Sequence, residues 1–196
     1  MDAETIVREA LELLRQEGLA GVTFRKLTTR LEVKAPAIYW RFKDKQELLD
    51  AMAEAMLQEQ FAGFAPHAAG EPWQPWWSGV LRRLRRAMLA YPDGGRVVAG
   101  ARPPGAPTLP RISEYGLRAL EGGGLPLVEA ANVVFTALHY TFGHVIEEQD
   151  STGADTVDLA AFAATYPTIA RLLTTGRGNG DAIFDAGIAL IINGSR

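Results

Sequence analysis

Apolar residues recur at helical spacing along almost the whole chain, and this period constrains the fold more than any other feature of the sequence. In residues 3–17 they stand three and four positions apart, at Ile6, Val7, Ala10, Leu11, Leu13 and Leu14. This spacing places them on one face of an α-helix, whereas a half-buried strand needs strict alternation. Because such alternation is almost absent from the 196 residues, the sequence predicts an all-α fold.

Capping residues and helix breakers divide the rest of the chain into further predicted helices. Thr23 can cap a helix over residues 24–31, and Pro36 suits the first turn of a helix over 35–41, where its missing N–H does no harm. The same period predicts helices from 45 into the low sixties and over 73–90, 111–122, 126–148, 158–174 and 181–193. The proline-rich residues 100–110 are predicted to be non-helical.

Residues 126–148 form a predicted helix that is apolar on nearly all sides and contains no Lys or Arg. A membrane span is one interpretation of such a segment. Polar residues interrupt it, however, and an acidic stretch ends it, so a helix buried on several sides of a bundle fits better. Together with the apolar helix 181–193, it is the natural interface of a homodimer built as a four-helix bundle.

The charge of the chain is unevenly distributed. Residues 25–45 carry seven basic side chains against two acidic ones, a net charge of +5 in a chain whose net charge is −3. A basic window on an acidic body is typical of a nucleic-acid contact surface, although a solvated helix surface gives the same excess. The chain has no Cys and no leader peptide at its N-terminus, so we expect a cytoplasmic protein.

The two short helices predicted over 24–31 and 35–41 are joined by a tight turn, which is the arrangement of a helix-turn-helix DNA-binding unit. A recognition helix must fit a major groove about 12 Å wide, with small residues towards the bases and hydrogen-bond donors for the phosphates. Small side chains are supplied by Ala35, Pro36 and Ala37, and donors by Lys34, Tyr39, Arg41 and Lys45. Two further residues, Ile38 and Phe42, can pack inward.

The stretch VTFRKLTTRLEVKAPAIYWRFKDKQELL, residues 22–49, resembles the DNA-binding domain of the tetracycline repressor (TetR) family. The resemblance continues through residues 93–103, 139–149 and 187–194 to the tetracycline-binding members of that family. It implies a three-helix DNA-binding domain over residues 1–45 and a helical-bundle domain for effector binding and dimerisation over 46–196. It also implies a homodimeric repressor that a small molecule releases from a palindromic operator.

By this resemblance, Arg25 and the residues Lys34 to Trp40 face the bases or the groove, while Tyr39, Trp40 and Lys45 hold phosphates. Combined with the donors named above, the predicted DNA-binding residues are Arg25, Lys26, Lys34, Ala35, Pro36, Ala37, Tyr39, Trp40, Arg41 and Lys45. Two alternatives stay open: Trp40 as a core aromatic residue, and Tyr39 as a surface residue packing on its own helix.

The turn of the helix-turn-helix departs from the family pattern. Where the family usually has Gly, this chain has Glu32. A non-Gly residue in the left-handed region costs about 1–2 kcal/mol, so we expect a strained turn.

The tetracycline-binding members of the family hold a magnesium–tetracycline chelate, and this chain differs from them at the positions that face the drug. Val98 stands in place of a metal-binding histidine, and Ala101 in place of the adjacent threonine. A hard cation needs oxygen or imidazole ligands, which these two side chains lack. We therefore expect no metal site and no magnesium–tetracycline cofactor.

The sequence predicts instead an apolar cavity with a few polar groups at its edge, suited to an apolar, aromatic or polycyclic effector. The predicted effector-binding residues are Phe61, Phe64, Val80, Leu84, Val98, Arg102, Pro103, Gly116, Phe135, His139 and Glu147. Three alternatives stay open: the apolar residues simply fill a core, His139 is a core histidine, and Arg102 caps a helix end. We also expect the segment Arg102-Pro103 to transmit effector binding to the heads.

Three other classes of function compete with a repressor: an activator, a protein-interaction module and an enzyme. An activator of the same fold and a helical module for protein interaction are both compatible with the pattern. An enzyme is disfavoured because three His and no Cys leave little for catalysis, and no phosphate-binding loop or Ser-centred elbow appears. The run of Arg82, Arg83, Arg85 and Arg86 looks like a second DNA-binding patch, but an amphipathic helix with Trp73, Trp76 and Trp77 opposite requires a solvated face there.

Overall fold

The computed structural model describes residues 1–150, 159–176 and 178–194, and these residues form eleven α-helices and no strand. The all-α prediction is therefore confirmed. The helices are α1 (Ala3–Gly21), α2 (Phe24–Arg30), α3 (Ala35–Tyr39), α4 (Lys45–Phe61), α5 (Trp73–Leu89), α6 (Gly94–Ala99), α7 (Thr108–Gly122), α8 (Leu127–Asp150), α9 (Leu159–Thr165), α10 (Pro167–Thr175) and α11 (Gly180–Asn193).

Proline accounts for the two main differences from the predicted helix boundaries. The helix predicted over 158–174 is two helices, because Pro167 ends one and lies at the first position of the next; residue 158 lies outside the described residues. Helix α7 begins at Thr108, inside the segment predicted to be non-helical. It includes Pro110 in its first turn, where a helix tolerates proline.

The first three helices form a head, and α4 connects it to the body. Thr23 caps α2 by accepting a hydrogen bond from the Lys26 N–H, as predicted, and Asp44 caps α4 by accepting from the Glu47 N–H. The predicted inward residues Ile38 and Phe42 are buried. Buried residues of head and body belong to one continuous apolar cluster, so the two parts share a core through α4.

Helix α8 is the centre of the body and packs against α5, α6, α7 and α11. One face is buried in the bundle, with Ala130, Val133, Val134, Ala137 and Leu138. Within the described ranges, no helix combines the length and the hydropathy that a membrane crossing requires.

The head contacts the body closely where α1 bends. Gly18 has φ 67°, and the next N–H, that of Leu19, donates a hydrogen bond of 2.7 Å to Oδ2 of Asp93. A Cβ atom on Gly18 would lie 2.9 Å from the same oxygen, so both the backbone conformation and the close approach favour glycine there. Asp93 itself has φ 55° and precedes α6.

The prediction that the four arginines of α5 form a solvated face is wrong for Arg85, because its side chain is buried. Its guanidinium donates to both carboxylate oxygens of Glu148, at 2.6 and 2.9 Å, and to Asp181 at 2.6 Å. Burial alone would lower the pKa of Arg85, but the hydrogen bonds to Glu148 and Asp181 outweigh it and raise the pKa. The network ties α5 to α8 and α11, because the planar arginine fork donates to both oxygens of one carboxylate and still has an N–H for the second.

Glu32 has φ 52°, so the helix-turn-helix keeps a left-handed residue although its side chain is not glycine. Replacing Glu32 with glycine relieves about 1–2 kcal/mol of strain, against about 0.4–1 kcal/mol of added chain entropy in the unfolded state. We expect Glu32→Gly to raise the free energy of unfolding by up to about 1.6 kcal/mol, measured by urea unfolding at fixed protein concentration.

Glu32→Ala is the matched control, because it removes the same carboxylate and leaves a Cβ at positive φ. Equal unfolding midpoints for the two variants would contradict the strained turn.

Candidate DNA-binding surface and effector site

The outer face of the head presents two aromatic side chains at the end of α3. Trp40 is 88% exposed and Tyr39 is 55% exposed. The alternative of Trp40 as a core aromatic residue is therefore wrong. The Tyr39 ring packs edge-on against Phe24 of α2, with centroids 5.1 Å apart, so it rests on a neighbouring helix rather than its own.

Basic side chains surround this aromatic pair, and all of those predicted to bind DNA are exposed. Among the described residues, the side chains of Arg25 and Lys34 have no partner and stay available for a ligand. The others are anchored locally: Lys26 to Glu17, Arg41 to the Met1 carbonyl at 3.2 Å, and Lys45 to the Leu19 carbonyl at 3.5 Å. The small residues Ala35 and Pro36 are exposed, and Ala37 is half-buried.

This arrangement has the chemistry of a nucleic-acid contact. A five-residue helix with small side chains at its start can approach base edges, and the surrounding cations can neutralise phosphates. An indole left almost wholly in water gains nothing for the fold, so its placement is explained better by a contact outside the chain.

The residues predicted to bind an effector fall into two groups. The first group is buried in the body: Phe61, Leu84 and Val98 are at most 1% exposed, and Val80 is 5% exposed. Gly116 is also buried, directly under Trp77; a Cβ there would lie 2.8 Å from the indole ring. Within this chain these residues fill a core, which was the first of the three alternatives for the predicted effector-binding residues.

The second group lies on the surface. Arg102, Pro103, Phe135, His139 and Glu147 are all exposed, and the last three belong to the outer side of α8. The alternative of His139 as a core histidine is therefore wrong. Phe64 is half-buried and lies at an open groove beside α5. The described chain thus does not bring the eleven residues into one cavity.

Arg102 is held by a buried carboxylate that sequence reasoning missed. Asp50 of α4 accepts hydrogen bonds from the Arg102 backbone N–H at 3.0 Å, from Arg102 Nε at 2.8 Å and from Gln46 at 2.8 Å. Gln46 also donates to the Gly100 carbonyl at 2.9 Å. The sequence offers no local signal for this network, because its members are about fifty residues apart.

The pKa of Asp50 reflects two opposing effects. Burial alone would raise it, but the hydrogen bonds from Arg102 and Gln46 outweigh burial and hold the pKa below its ordinary value. Asp50 is therefore ionised at neutral pH and binds α4 to the segment after α6 with charge-assisted hydrogen bonds.

The side chains at the expected metal-binding positions carry no oxygen or nitrogen ligand. Val98 is buried and Ala101 is half-buried, and neither side chain carries a ligand atom. Among the residues that the structure describes, no three His, Asp or Glu side chains come together as a metal site. The two positions at which the family resemblance places metal ligands therefore offer no ligand atom for magnesium.

The exposed recognition helix α3 has Lys34 just before it and Arg41 just after it. Such a helix on a three-helix head, carried by a larger helical body, defines a helix-turn-helix transcription regulator. Profile comparison agrees with this assignment: residues 6–52 match bacterial regulatory proteins of the tetR family, and residues 65–196 match the tetracyclin repressor-like C-terminal domain. The chain belongs to the TetR family. It is a DNA-binding transcription regulator with a C-terminal ligand-binding domain.

Individual relatives cover nearly the whole chain. It is 39% identical over 197 residues to the class A tetracycline repressor from transposon 1721 of Escherichia coli, covering 99% of this chain and 90% of that protein. A possible TetR family regulator from Streptomyces coelicolor A3(2) is similar in structure, with a TM-score of 0.85, 33% identity and 98% of each chain covered. The class A repressor in complex with 5a,6-anhydrotetracycline and magnesium has a TM-score of 0.71 and 37% identity, covering 97% of this chain and 95% of that one.

The exposed cations of the head predict how charge reversal affects duplex binding. Lys34→Glu and Arg41→Glu each place a negative charge where a phosphate is expected. We expect each to weaken binding to duplex DNA at least about tenfold, or 1.4 kcal/mol, and to flatten the salt dependence of binding. Fluorescence anisotropy across a salt series measures both quantities.

Arg118→Glu is the control, because it makes the same charge change on an exposed side chain of α7, in the body. If all three variants bind DNA equally, the head is not the contact surface.

Proposed function

We propose that the protein is a homodimeric repressor that binds a palindromic operator through α3 and leaves it when a small effector binds the body. The observation that carries this proposal is the exposure of Trp40 at the end of the recognition helix, between the basic side chains of Lys34 and Arg41 in the sequence. A regulator of this kind needs no catalytic group, so we expect no enzymatic activity. Because its target is genomic DNA, we also propose a cytoplasmic location.

The surface of the body supports a homodimer. Leu127, Val128 and Phe135 of α8 are exposed, as is Leu190 of α11 at 77%. Gly187 lets α11 approach the Tyr140 ring of α8, so the two helices form one surface with a shallow groove between Asn132, Thr136 and Leu190. An apolar surface of this kind on a soluble body is typical of a protein interface, and a twofold axis makes it self-complementary.

Helix α10 adds a second apolar surface. It buries none of its residues, and Tyr166, Ile169, Leu172 and Leu173 are exposed. Such a helix is stable when another surface covers its apolar side. We place it, too, within the dimer.

Leu190→Glu tests the dimer and the operator binding together. Because Leu190 is 77% exposed, the substitution leaves the protomer fold intact but places a charge in the interface. We expect a monomer in sedimentation equilibrium. We also expect affinity for a palindromic fragment to fall about 10²-fold or more, because two linked heads bind cooperatively.

Gln74→Glu, on an exposed position of α5, is the control for added charge. A wild-type protein that is itself monomeric, or that binds no palindrome from the DNA upstream of its own gene, would overturn the proposed function.

The effector that we propose is apolar and binds without a metal, since Val98 and Ala101 offer no ligand atoms. Trp77 is the side chain most suited to receive it. Its ring covers Gly116, and its indole N–H is buried without an acceptor among the described residues. Buried donors without partners are rare and costly. An apolar molecule carrying one acceptor atom can occupy this region by displacing the ring or by satisfying its N–H.

Two hydrogen-bonded contacts link the body to the head and would transmit a change in the body when an effector binds. Asp50 links α4 to Arg102, and Asp93 links α6 to the backbone of α1. A displacement of α6 or of the segment after it therefore acts on α1 of the head and on α4, which connects the head to the body. A coupling of about 1–3 kcal/mol is enough to change operator affinity 5–150-fold.

A thermal-shift screen of apolar aromatic compounds, with magnesium and with EDTA, tests the metal-free effector. We expect a stabilising compound to raise the melting temperature equally under both conditions. Stabilisation that strictly requires magnesium would contradict the proposal.

Arg102→Ala tests the coupling between the effector region and the head. We expect the variant to bind the stabilising compound but to release the operator less completely than the wild type does.

A further inference from the structure

An open groove of about 600 Å³ lies between α5 and the segment that follows α4, on the outside of the body. Its walls include Phe64, Glu71, Trp76, Gly79, Arg83 and Arg86, and we call it the α5 groove. This volume is within the range of small-molecule sites. Two of the residues predicted to bind an effector, Phe64 and Val80, line the groove. Trp77, the side chain proposed above to receive the effector, does not line it, and neither do the buried residues Phe61, Leu84 and Val98.

The α5 groove has an aromatic wall that is already in place. The rings of Phe64 and Trp76 are nearly parallel, at 13°, with centroids 6.1 Å apart. Phe64 is fixed edge-on by Phe61 and contacts Tyr115, while Trp76 stacks on Trp77. Both side chains are half-buried and line the groove. A flat aromatic ring can stack on such a surface at little cost in side-chain entropy.

The stripe of α5 that lines the groove follows helical spacing, with Trp76, Gly79, Arg83 and Arg86 at intervals of three, four and three residues. In the described part of the chain no carboxylate lies within ion-pair distance of Arg83 or Arg86. Arg83 lies over the Phe61 ring, with Cζ 5.6 Å from its centroid. Two guanidinium groups one helical turn apart are thus free to bind an anion.

The neighbouring charges leave this pair unsatisfied. Arg82 also lines the groove but forms an ion pair with Asp185 at 2.7 Å. Arg85 forms ion pairs with Glu148 and Asp181. The residues that line the groove include one acidic side chain, Glu71, and three arginines. The α5 groove therefore favours a negatively charged ligand.

Gly79 keeps the wall open. It lies in the interior of α5, where glycine costs about 1 kcal/mol relative to alanine. It is exposed, and a Cβ built on it meets nothing within 4 Å, so no neighbour in the described chain requires its small size. A larger side chain there would project into the α5 groove.

We propose that the α5 groove binds a planar aromatic carboxylate or related aryl anion. The ring stacks against Trp76 and Phe64, and the anionic group accepts hydrogen bonds from Arg83 and Arg86. Gly79 provides the space that the ring occupies. This site goes beyond the proposed repressor function and does not depend on operator release.

Isothermal titration calorimetry of the full-length protein with 2-naphthoate tests the site, with the neutral 2-naphthamide as the matched ligand. We expect saturable binding of 2-naphthoate with a Kd below about 1 mM and at least tenfold weaker binding of the amide. Gly79→Leu, which fills the groove, and the double variant Arg83→Gln/Arg86→Gln, which removes its charge, should each weaken 2-naphthoate at least about tenfold.

Two controls separate the site from general effects. Gln74→Leu adds the same side chain at an exposed position of α5 that does not line the groove, and Arg171→Gln removes an exposed charge from α10; both should bind 2-naphthoate within about twofold of wild type. Circular dichroism and operator binding verify that each variant is folded, so failure here is distinct from failure of the repressor function. No binding by the wild type at millimolar concentration, equal binding of the amide, or unchanged binding by both groove variants would each overturn the proposal.

Discussion

The hydrogen bond from the Leu19 N–H to Asp93 joins the DNA-binding head to the body, and the position of the head depends on it. Asp93 occupies a left-handed conformation that aims its carboxylate at α1, and Gly18 bends α1 so that the N–H is free of the helix. The other side of α6 is held by α8, since Gln149 accepts from the Gly95 N–H and donates to the Tyr91 carbonyl. Helix α6 and the residue before it are therefore hydrogen-bonded both to the head and to the body, so a shift of α6 would displace groups in both.

The head could be predicted from the sequence because its signals are local. Thr23 as a cap, Pro36 in a first turn, and the inward pair Ile38 and Phe42 each act within a few residues of where they stand. Even the strain at Glu32 could be anticipated, from a glycine position that lacks its glycine. The fold of such a unit can be predicted from its sequence because its caps, turns and apolar periodicity all favour the same structure.

The effector site could not be predicted as well, because it depends on which side of each helix meets a neighbour. Helix α8 is apolar on nearly all sides, so its pattern does not tell Val134, which is buried, from Phe135, which is exposed. Asp50 and Arg85 look like surface residues in the sequence and are buried through partners at least fifty positions away. Neighbouring tryptophans show the same effect: Trp77 covers Gly116 in the core, whereas Trp76, about 100° further round α5, lines an outer groove.

The distribution of the four tryptophans also gives the molecule an optical property. Trp73, Trp76 and Trp77 are clustered on α5 and are buried or half-buried, whereas Trp40 is alone on the head and almost wholly hydrated. An indole in water emits at longer wavelength than one in an apolar interior. The red edge of the emission spectrum therefore belongs mainly to Trp40, and this one residue reports on whatever covers the tip of the head without any added label.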